Sequence, residues 1–459
     1  MQGPFWQHVE DLFSKLRGRT LIAAIAVWAI LMAVALSCVF GLIKLPSVGN
    51  RAPSPDLTPI VEQSAPTATA TLAPDQGEFV TLPTPTPTPA AAATAVSTLA
   101  ALPWGDFGYG IATHIYEPEV TMNVVKNQLG LTWVKQQIRW DIFSTEPGKM
   151  DWSGYDPVVE AAAAQGVKLM LSVVGAPAWS RSYVDANPEA APPDDLTLFA
   201  QFLGELVDRY PGKVHAIEVW NEQNLDREWD TAEGVNALRY VEMLRLAYQT
   251  IKARDPNIIV ISGALSPTGA NFTDPNNPNR VTVVDDFVYF QQLLDAGFLS
   301  YTDCVGAHHN GINMPPDVAW DTGYNDAAAQ FRGPFDSPHH SWSFKSTLWG
   351  YHDMIQKAGY STPLCVTEFG WATAEDFSAY PPGFEFAVDN TLDEQALWNV
   401  QAFQLLRQWG FVHLAFLWNY DYSVRGGSET SPNAPYSLVD MRGVPRPAFG
   451  AIAEMPKLP

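Results

Sequence analysis

Two hydrophobic rhythms divide the chain. From Leu21 to Ile43 apolar residues run on without a charge, and at 1.5 Å per residue a helix of that length crosses the roughly 30 Å of a hydrocarbon core. The run predicts one transmembrane helix over 20–44. Before it, Phe5, Val9, Leu12, Phe13 and Leu16 recur at helical spacing, which suits a short interfacial helix within segment 1–19. From Trp104 onward, short apolar runs alternate with helical patterns until there are eight of each. The runs predict strands near Gly108 to Ala112, Trp133 to Arg139, Lys168 to Val174, Ala216 to Trp220, Ile258 to Ser262, Cys304 to His308, Leu364 to Thr367 and Val412 to Trp418. The clearest helices are Leu196 to Tyr210, Val235 to Arg254 and Leu392 to Gln408. Strict strand–helix alternation predicts an α/β fold, a (β/α)8 TIM barrel, over 103–459.

Connection lengths orient that barrel. Links from helix to following strand are tight, marked by Gly130, Gly166, Gly410 or Asp255-Pro256-Asn257, whereas the opposite links are long, above all from His309 to about Ser343. Barrel active sites lie on the face that carries the strand C-termini, so the elaborated loops mark that face. These loops hold Trp320, Tyr324, Phe331, Phe335, Trp342, Phe377, Tyr380, Phe384 and Phe386. Aromatic faces either stack on sugar rings or pack the loops onto the barrel, and both uses are expected here.

Composition changes the picture at the N-terminal end. Segment 45–102 turns to Pro, Thr, Ala and Ser, including the run Thr81 to Pro89; with little large apolar surface it predicts an extended, semi-rigid stalk rather than a domain. Lys15, Arg17 and Arg19 before the apolar run, against Lys44 and Arg51 after it, favour a cytoplasmic N-terminus with the rest outside the cell membrane. A cleaved signal peptide competes with the anchor reading, but the run exceeds an h-region and lacks a clean A-x-A site. Lipidation at Cys38 is weakly supported, because apolar residues continue past it. The net charge of −22 leaves little to neutralise phosphates, which excludes nucleic acid as a partner. Of the three cysteines, Cys304 and Cys365 lie in predicted strands and read as small buried hydrophobes, with no disulfide framework implied.

Chemistry concentrates at two strand ends. The fourth strand runs out as Ile217-Glu218-Val219-Trp220-Asn221-Glu222-Gln223-Asn224 and the seventh as Cys365-Val366-Thr367-Glu368-Phe369-Gly370-Trp371. In a barrel, Glu222 and Glu368 would then face one cleft. A retaining glycosidase needs such a pair: one carboxylate attacks the anomeric carbon while the other protonates the leaving oxygen and then deprotonates water. Like charge across the pair helps keep one protonated while the other stays ionised. Glu218, further down the strand, reads as a structural acid.

Trp220-Asn221-Glu222 and Thr367-Glu368-Phe369-Gly370 resemble the strand-four and strand-seven signatures of clan A glycoside hydrolases. Trp140, Glu146-Pro147-Gly148, Asp151-Trp152 and Tyr155-Asp156 resemble a stretch of families 5 and 39, and Pro177-Ala178-Trp179 also fits. The resemblance spans the barrel. It implies Glu222 as acid/base, Glu368 as nucleophile, Asn221 as donor to the sugar 2-hydroxyl, Trp418 as the floor of the adjoining subsite, Trp179 as a substrate contact, and either His308 or His309 lining the site. Two departures stand out. The family's strand-two arginine aligns with Lys135 rather than Arg139, and lysine cannot make the bidentate contact of a guanidinium; either residue could support the nucleophile. The tyrosine expected after the strand-six histidine is replaced by Asn310 and Gly311. The substrate expected is a β-linked, neutral oligo- or polysaccharide at the cell surface. A transglycosylase and a catalytically silent carbohydrate-binding module are the competing readings. No cofactor is expected, and no metal, because His308-His309 and His339-His340 lack a spacing that closes a zinc site with a carboxylate.

Overall fold

The computed structural model describes residues 102–114, 116–183 and 191–459. The expected helix at 20–44, the segment 1–19 before it and nearly all of the stalk lie outside the described residues. Among the described residues no helix is long and apolar enough to cross a membrane.

Eight parallel strands form one sheet: β1 (Gly108–Ala112), β2 (Trp133–Arg139), β3 (Lys168–Val174), β4 (Ala216–Val219), β5 (Ile259–Ser262), β6 (Val305–Gly311), β7 (Leu364–Trp371) and β8 (Val412–Leu417). Their order is β5-β4-β3-β2-β1-β8-β7-β6, and parallel bridges Ile261–Cys304 and Leu265–Ala307 join its two ends into a barrel. Closure is tight at Gly306, where a Cβ would stand 2.0 Å from the Ser262 carbonyl oxygen. Around the sheet run α1 (Pro118–Asn123), α2 (Asp156–Gln165), α3 (Leu196–Arg209), α4 (Ala237–Arg254), α5 (Asp286–Asp295), α6 (Phe344–Lys357), α7 (Leu392–Trp409) and α8 (Pro447–Glu454). Local chemistry sets their ends: Asp195 caps α3 by accepting from the Thr197 amide, and Thr391 and Glu394 form a reciprocal capping box on α7, which stops at left-handed Gly410.

Alternation along the strands sorts side chains into two cores. Outward residues such as Val134, Leu171, Ile217 and Val366 join the apolar faces of the helices in one continuous cluster. Inside the barrel, Trp133, Met170, Ala216, Ile261, Cys304, Cys365, Leu414 and Phe416 form a separate plug. β1 makes room for it with Gly110, whose Cβ would lie 2.4 Å from the Phe416 ring.

Two expectations are corrected here, and the loop after β5 adds a feature of its own. Cys304 and Cys365 are not free thiols but form a disulfide, with Cα atoms 5.7 Å apart across a sequence separation of 61. Consecutive strands β6 and β7 pair in parallel with Gly306 opposite Cys365, which sets the two cysteines side by side at the strand starts. Strands six and seven extend to Gly311 and Trp371, beyond the expected ends. The loop after β5 folds into an antiparallel ribbon, Phe272–Asp274 with Asn277–Val283, in a stretch whose prolines and asparagines signal turns more strongly than strands.

Candidate active site

A β-bulge aims the second carboxylate. The register of β6 on β7 steps from Ala307–Val366 to His308–Glu368, and that of β8 on β7 from Ala415–Val366 to Leu417–Phe369, which leaves Thr367 as the extra residue. Thr367 and Glu368 therefore both face the interior, although successive residues normally point to opposite faces. Thr367 Oγ1 donates to Glu218 Oε1 at 2.6 Å, while Glu368 Oε1 accepts from Lys135 Nζ at 3.0 Å.

The first carboxylate sits on a strained turn. Trp220 and Glu222 adopt left-handed backbone angles, φ 78° and 43°, which cost a non-glycine residue about 1–3 kcal/mol each. The surroundings over-determine the turn. The Glu222 amide donates to the Ala264 carbonyl, the Trp220 indole donates to the Glu228 carbonyl at 2.7 Å, and Gln223 and Asn224 donate to the carbonyls of Gly263, Ser266 and Val284. Trp220 is fully buried, edge-on to Phe199 and Trp229.

One imidazole bridges the two acids. His308 Nδ1 lies 3.2 Å from Glu222 Oε1 and Nε2 lies 3.8 Å from Glu368 Oε1, with Glu218 Oε1 at 4.0 Å. Three carboxylates are matched by Lys135, which also reaches Glu218 at 3.3 Å, by Arg227, whose guanidinium meets Glu222 Oε2 at 2.6 Å, and by His308 when protonated. Burial alone would neutralise this cluster; the pairing works against it. Burial pushes Glu218 up, but Lys135 and His308 hold its carboxyl below the usual range. Burial favours neutral Lys135 and His308, yet the carboxylates raise both above their ordinary values. Glu222 is held well below the carboxylate range, against its own burial, by Arg227 and His308. Glu228 moves the other way, up to about 7, through burial and the negative charge of Glu222.

The structure gathers Glu222, Glu368, His308 and Lys135 at this point. Trp418 adjoins them, its ring centroid 6.0 Å from Lys135 Nζ. Asn221 is buried in the turn itself, between left-handed Trp220 and Glu222. Three expected residues lie elsewhere. His309 turns outward, its Nε2 3.1 Å from the Ser341 carbonyl. Arg139 makes a paired contact with Asp141 at 3.1 and 2.8 Å and lines a cavity of about 370 Å3 with His114, Gln137, Tyr422 and Arg425; Tyr422 stands edge-on to Trp418. Trp179 donates to the Ser144 carbonyl at 3.0 Å and packs edge-on against Trp140. Arg227, Glu228 and Asn310, whose amide donates to Glu368 Oε2 at 3.3 Å, were not singled out for these contacts in the sequence. Asn310 occupies the place where a tyrosine was expected.

Among the loop aromatics, Phe331, Trp342, Phe384 and Phe386 pack on one another or on Tyr436, while Trp320, Tyr324 and Tyr380 are exposed. The ground for excluding a metal is corrected in part. Asp285, the N-cap of α5, brings a carboxylate oxygen to His339 and His340, one donor atom of each lying within 4.8 Å of the others. None of the hydrogen bonds of these three residues reaches Glu222 or Glu368.

Solved structures share this fold. A family 39 glycoside hydrolase from the gut symbiont Bacteroides cellulosilyticus WH2 is similar with a TM-score of 0.53 at 18% identity, over 77% of this chain and 64% of that one. A monomeric beta-xylosidase from Caulobacter crescentus CB15 gives 0.50 at 18% identity, over 78% and 69%. A glucosidase from Croceicoccus marinus gives 0.51 at 13% identity, over 76% and 66%. The chain thus spans slightly less than two thirds of the length of the first of these. No family profile and no curated protein sequence matches it.

Proposed function

We propose that the chain is a retaining glycosidase that cleaves O-glycosidic linkages by double displacement. The reading rests on one observation: Glu222 and Glu368, at the C-terminal ends of β4 and β7, meet the two nitrogens of one buried imidazole at the mouth of a closed barrel. Glu368 is the nucleophile, presented to the anomeric carbon by Lys135 and Asn310. Glu222 protonates the departing oxygen and then takes a proton from water. Asn221 donates to the 2-hydroxyl, and Trp418 floors the sugar site. The names of the similar structures, a beta-xylosidase and a glucosidase among them, support a neutral, β-linked glycan as substrate.

The site works at the cell surface in this reading, carried on the stalk of segment 45–102 and anchored through Leu21 to Ile43 with the N-terminus in the cytoplasm. The Cys304–Cys365 disulfide supports an extracytoplasmic barrel, since such bonds persist mainly in oxidising compartments.

A screen of aryl glycosides and polysaccharides tests the function. Glu222→Ala and Glu368→Ala are expected to lose at least about 100-fold in activity, and NMR of the first-formed product is expected to show the anomeric configuration of the substrate. Hydrolysis confined to α-glucans, inversion, or full activity in Glu368→Ala would refute the proposal.

A further inference from the structure

A general acid must hold a proton when substrate arrives, yet both oxygens of Glu222 are occupied by cationic groups. Oε1 meets His308 at 3.2 Å and Oε2 meets Arg227 at 2.6 Å. A glycosidic oxygen approaching this carboxyl has to displace one of them. His308 is 1% exposed and wedged among three carboxylates, so it has nowhere to go. Arg227 has: its side chain is 55% exposed, and its Nε lies 4.0 Å from Glu228 Oε1. A second carboxylate therefore stands within one side-chain rotation of the first.

We propose that Arg227 is a positioning residue that alternates between Glu222 and Glu228, so that arrival of the leaving-group sugar moves one proton from Glu228 to Glu222. The inference rests on Glu222 serving as the acid/base. In the resting site Arg227 holds Glu222 ionised, and Glu228, half-buried beside that negative charge and raised to about 7, holds a proton below that pH. When the sugar takes the place of the guanidinium at Oε2, Arg227 turns to Glu228 and favours its ionised form. Glu222, relieved of that cation, takes up the proton. A protonated Glu228 and an ionised Glu222 thus become an ionised Glu228 and a protonated Glu222, with the charge of the site unchanged. The O–H bond of Glu222 then breaks as the glycosidic oxygen leaves.

The charged and titratable groups facing Glu222 are Arg227 and Glu228 from its own loop, His308 from β6, Tyr351 from α6 and Tyr436 from the segment after β8, with Glu218 from β4, Lys135 from β2 and Glu368 from β7 behind His308. Lys135, Glu218, His308 and Glu368 are buried and tied to one another. Only Arg227 among these partners combines a direct ion pair to Glu222 with solvent exposure. The arrangement keeps the acid ionised until a leaving group is in place, which restrains wasteful protonation chemistry in the empty cleft.

The test uses the whole chain, a series of aryl glycosides of one cleaved sugar with phenols of graded acidity, and the variants Glu228→Gln, Arg227→Gln and Arg227→Lys. Glu228→Gln removes the second station and leaves Arg227 on Glu222. Its loss in kcat/KM is expected to grow as the phenol becomes less acidic, reaching at least about 10-fold for the poorest leaving group. Arg227→Gln is expected to move the alkaline limb of the kcat/KM profile upward by roughly one pH unit or more, and Arg227→Lys to restore it in part. Equal losses across all phenols with an unmoved alkaline limb, in variants that unfold at the wild-type temperature, would overturn the alternation and leave Arg227 a structural group. Full activity in Glu222→Ala would instead overturn the glycosidase reading on which the inference depends.

Discussion

Replacing Lys135 by methionine isolates the cation beneath both carboxylates of the cleft floor. Its ammonium lies 3.0 Å from Glu368 and 3.3 Å from Glu218, and the three side chains are 1%, 8% and 0% exposed. At an effective dielectric of about 20, each contact is worth roughly 5 kcal/mol before desolvation is counted. Desolvation offsets much of that, and removing one partner of a buried pair typically costs about 3–5 kcal/mol. The Lys135→Met chain is therefore expected to lose about 3–5 kcal/mol of stability at pH 7, read from urea unfolding. The pH dependence gives the sharper check. Glu218 is held below its ordinary value of 4.5, so its pairing contributes fully above that value and is lost as pH falls through the folded-state pKa. Lys135 is raised above 10.5, so its contribution is complete throughout the acid and neutral range. In the variant, burial raises the Glu218 carboxyl that has lost its cation, so the gap between wild type and variant should narrow as pH falls from 7 and close on further acidification. Activity at pH 7 should fall by about 100-fold, the equivalent of roughly 3 kcal/mol. A gap below about 1 kcal/mol at pH 7, or one that is the same at pH 7 and at about pH 3.5, would refute the account of the floor.

Three further outcomes are expected. Asn310→Ala removes a donor 3.3 Å from Glu368 Oε2 and should lower kcat/KM about tenfold, since a hydrogen bond to a charged group is worth about 1.5–3 kcal/mol; an unchanged value would show that Asn310 does not position the nucleophile. Opening the Cys304–Cys365 bond, by reduction or by Cys304→Ala with Cys365→Ala, should cost about 3–4 kcal/mol in chemical denaturation while kcat at low temperature is retained, because the bond lies in the plug beneath the reacting groups. His309 is held at about 4 by burial, so its neutral form contributes stability that is present above the ordinary histidine value and lost as pH falls toward 4. His309→Gln should remove up to about 3 kcal/mol of the stability change between pH 7 and pH 4, measured by urea unfolding at several pH values.

The barrel and its two acids were legible because they depend on local rules. β1, β2 and β3 have the ends that their apolar runs imply, and Glu222 and Glu368 stand where strand C-termini meet long loops. What was not legible depends on neighbours that only the folded chain creates. Cys304 finds Cys365, and Asp285 finds His339 and His340, across distances in sequence that carry no periodic signal. The choice between Lys135 and Arg139 could not be made from alternation, which puts both on one face; Asp141, two residues beyond Arg139, is what draws that guanidinium aside. Arg227 and Glu228 carry no motif of their own, and it is the left-handed turn at Glu222 that brings the acid back over Arg227.

The extra residue at Thr367 has a bearing on how barrels of this kind are read when their activity is in question. Deleting that one position would keep the glutamate facing inward, directly after outward Val366, but would remove the hydroxyl that Thr367 donates to Glu218. A strand in regular alternation has no room for two inward groups in succession, and the extra residue supplies it. A one-residue loss between Leu364 and Phe369 would thus spare the acid and take away the hydroxyl on which the neighbouring carboxylate rests.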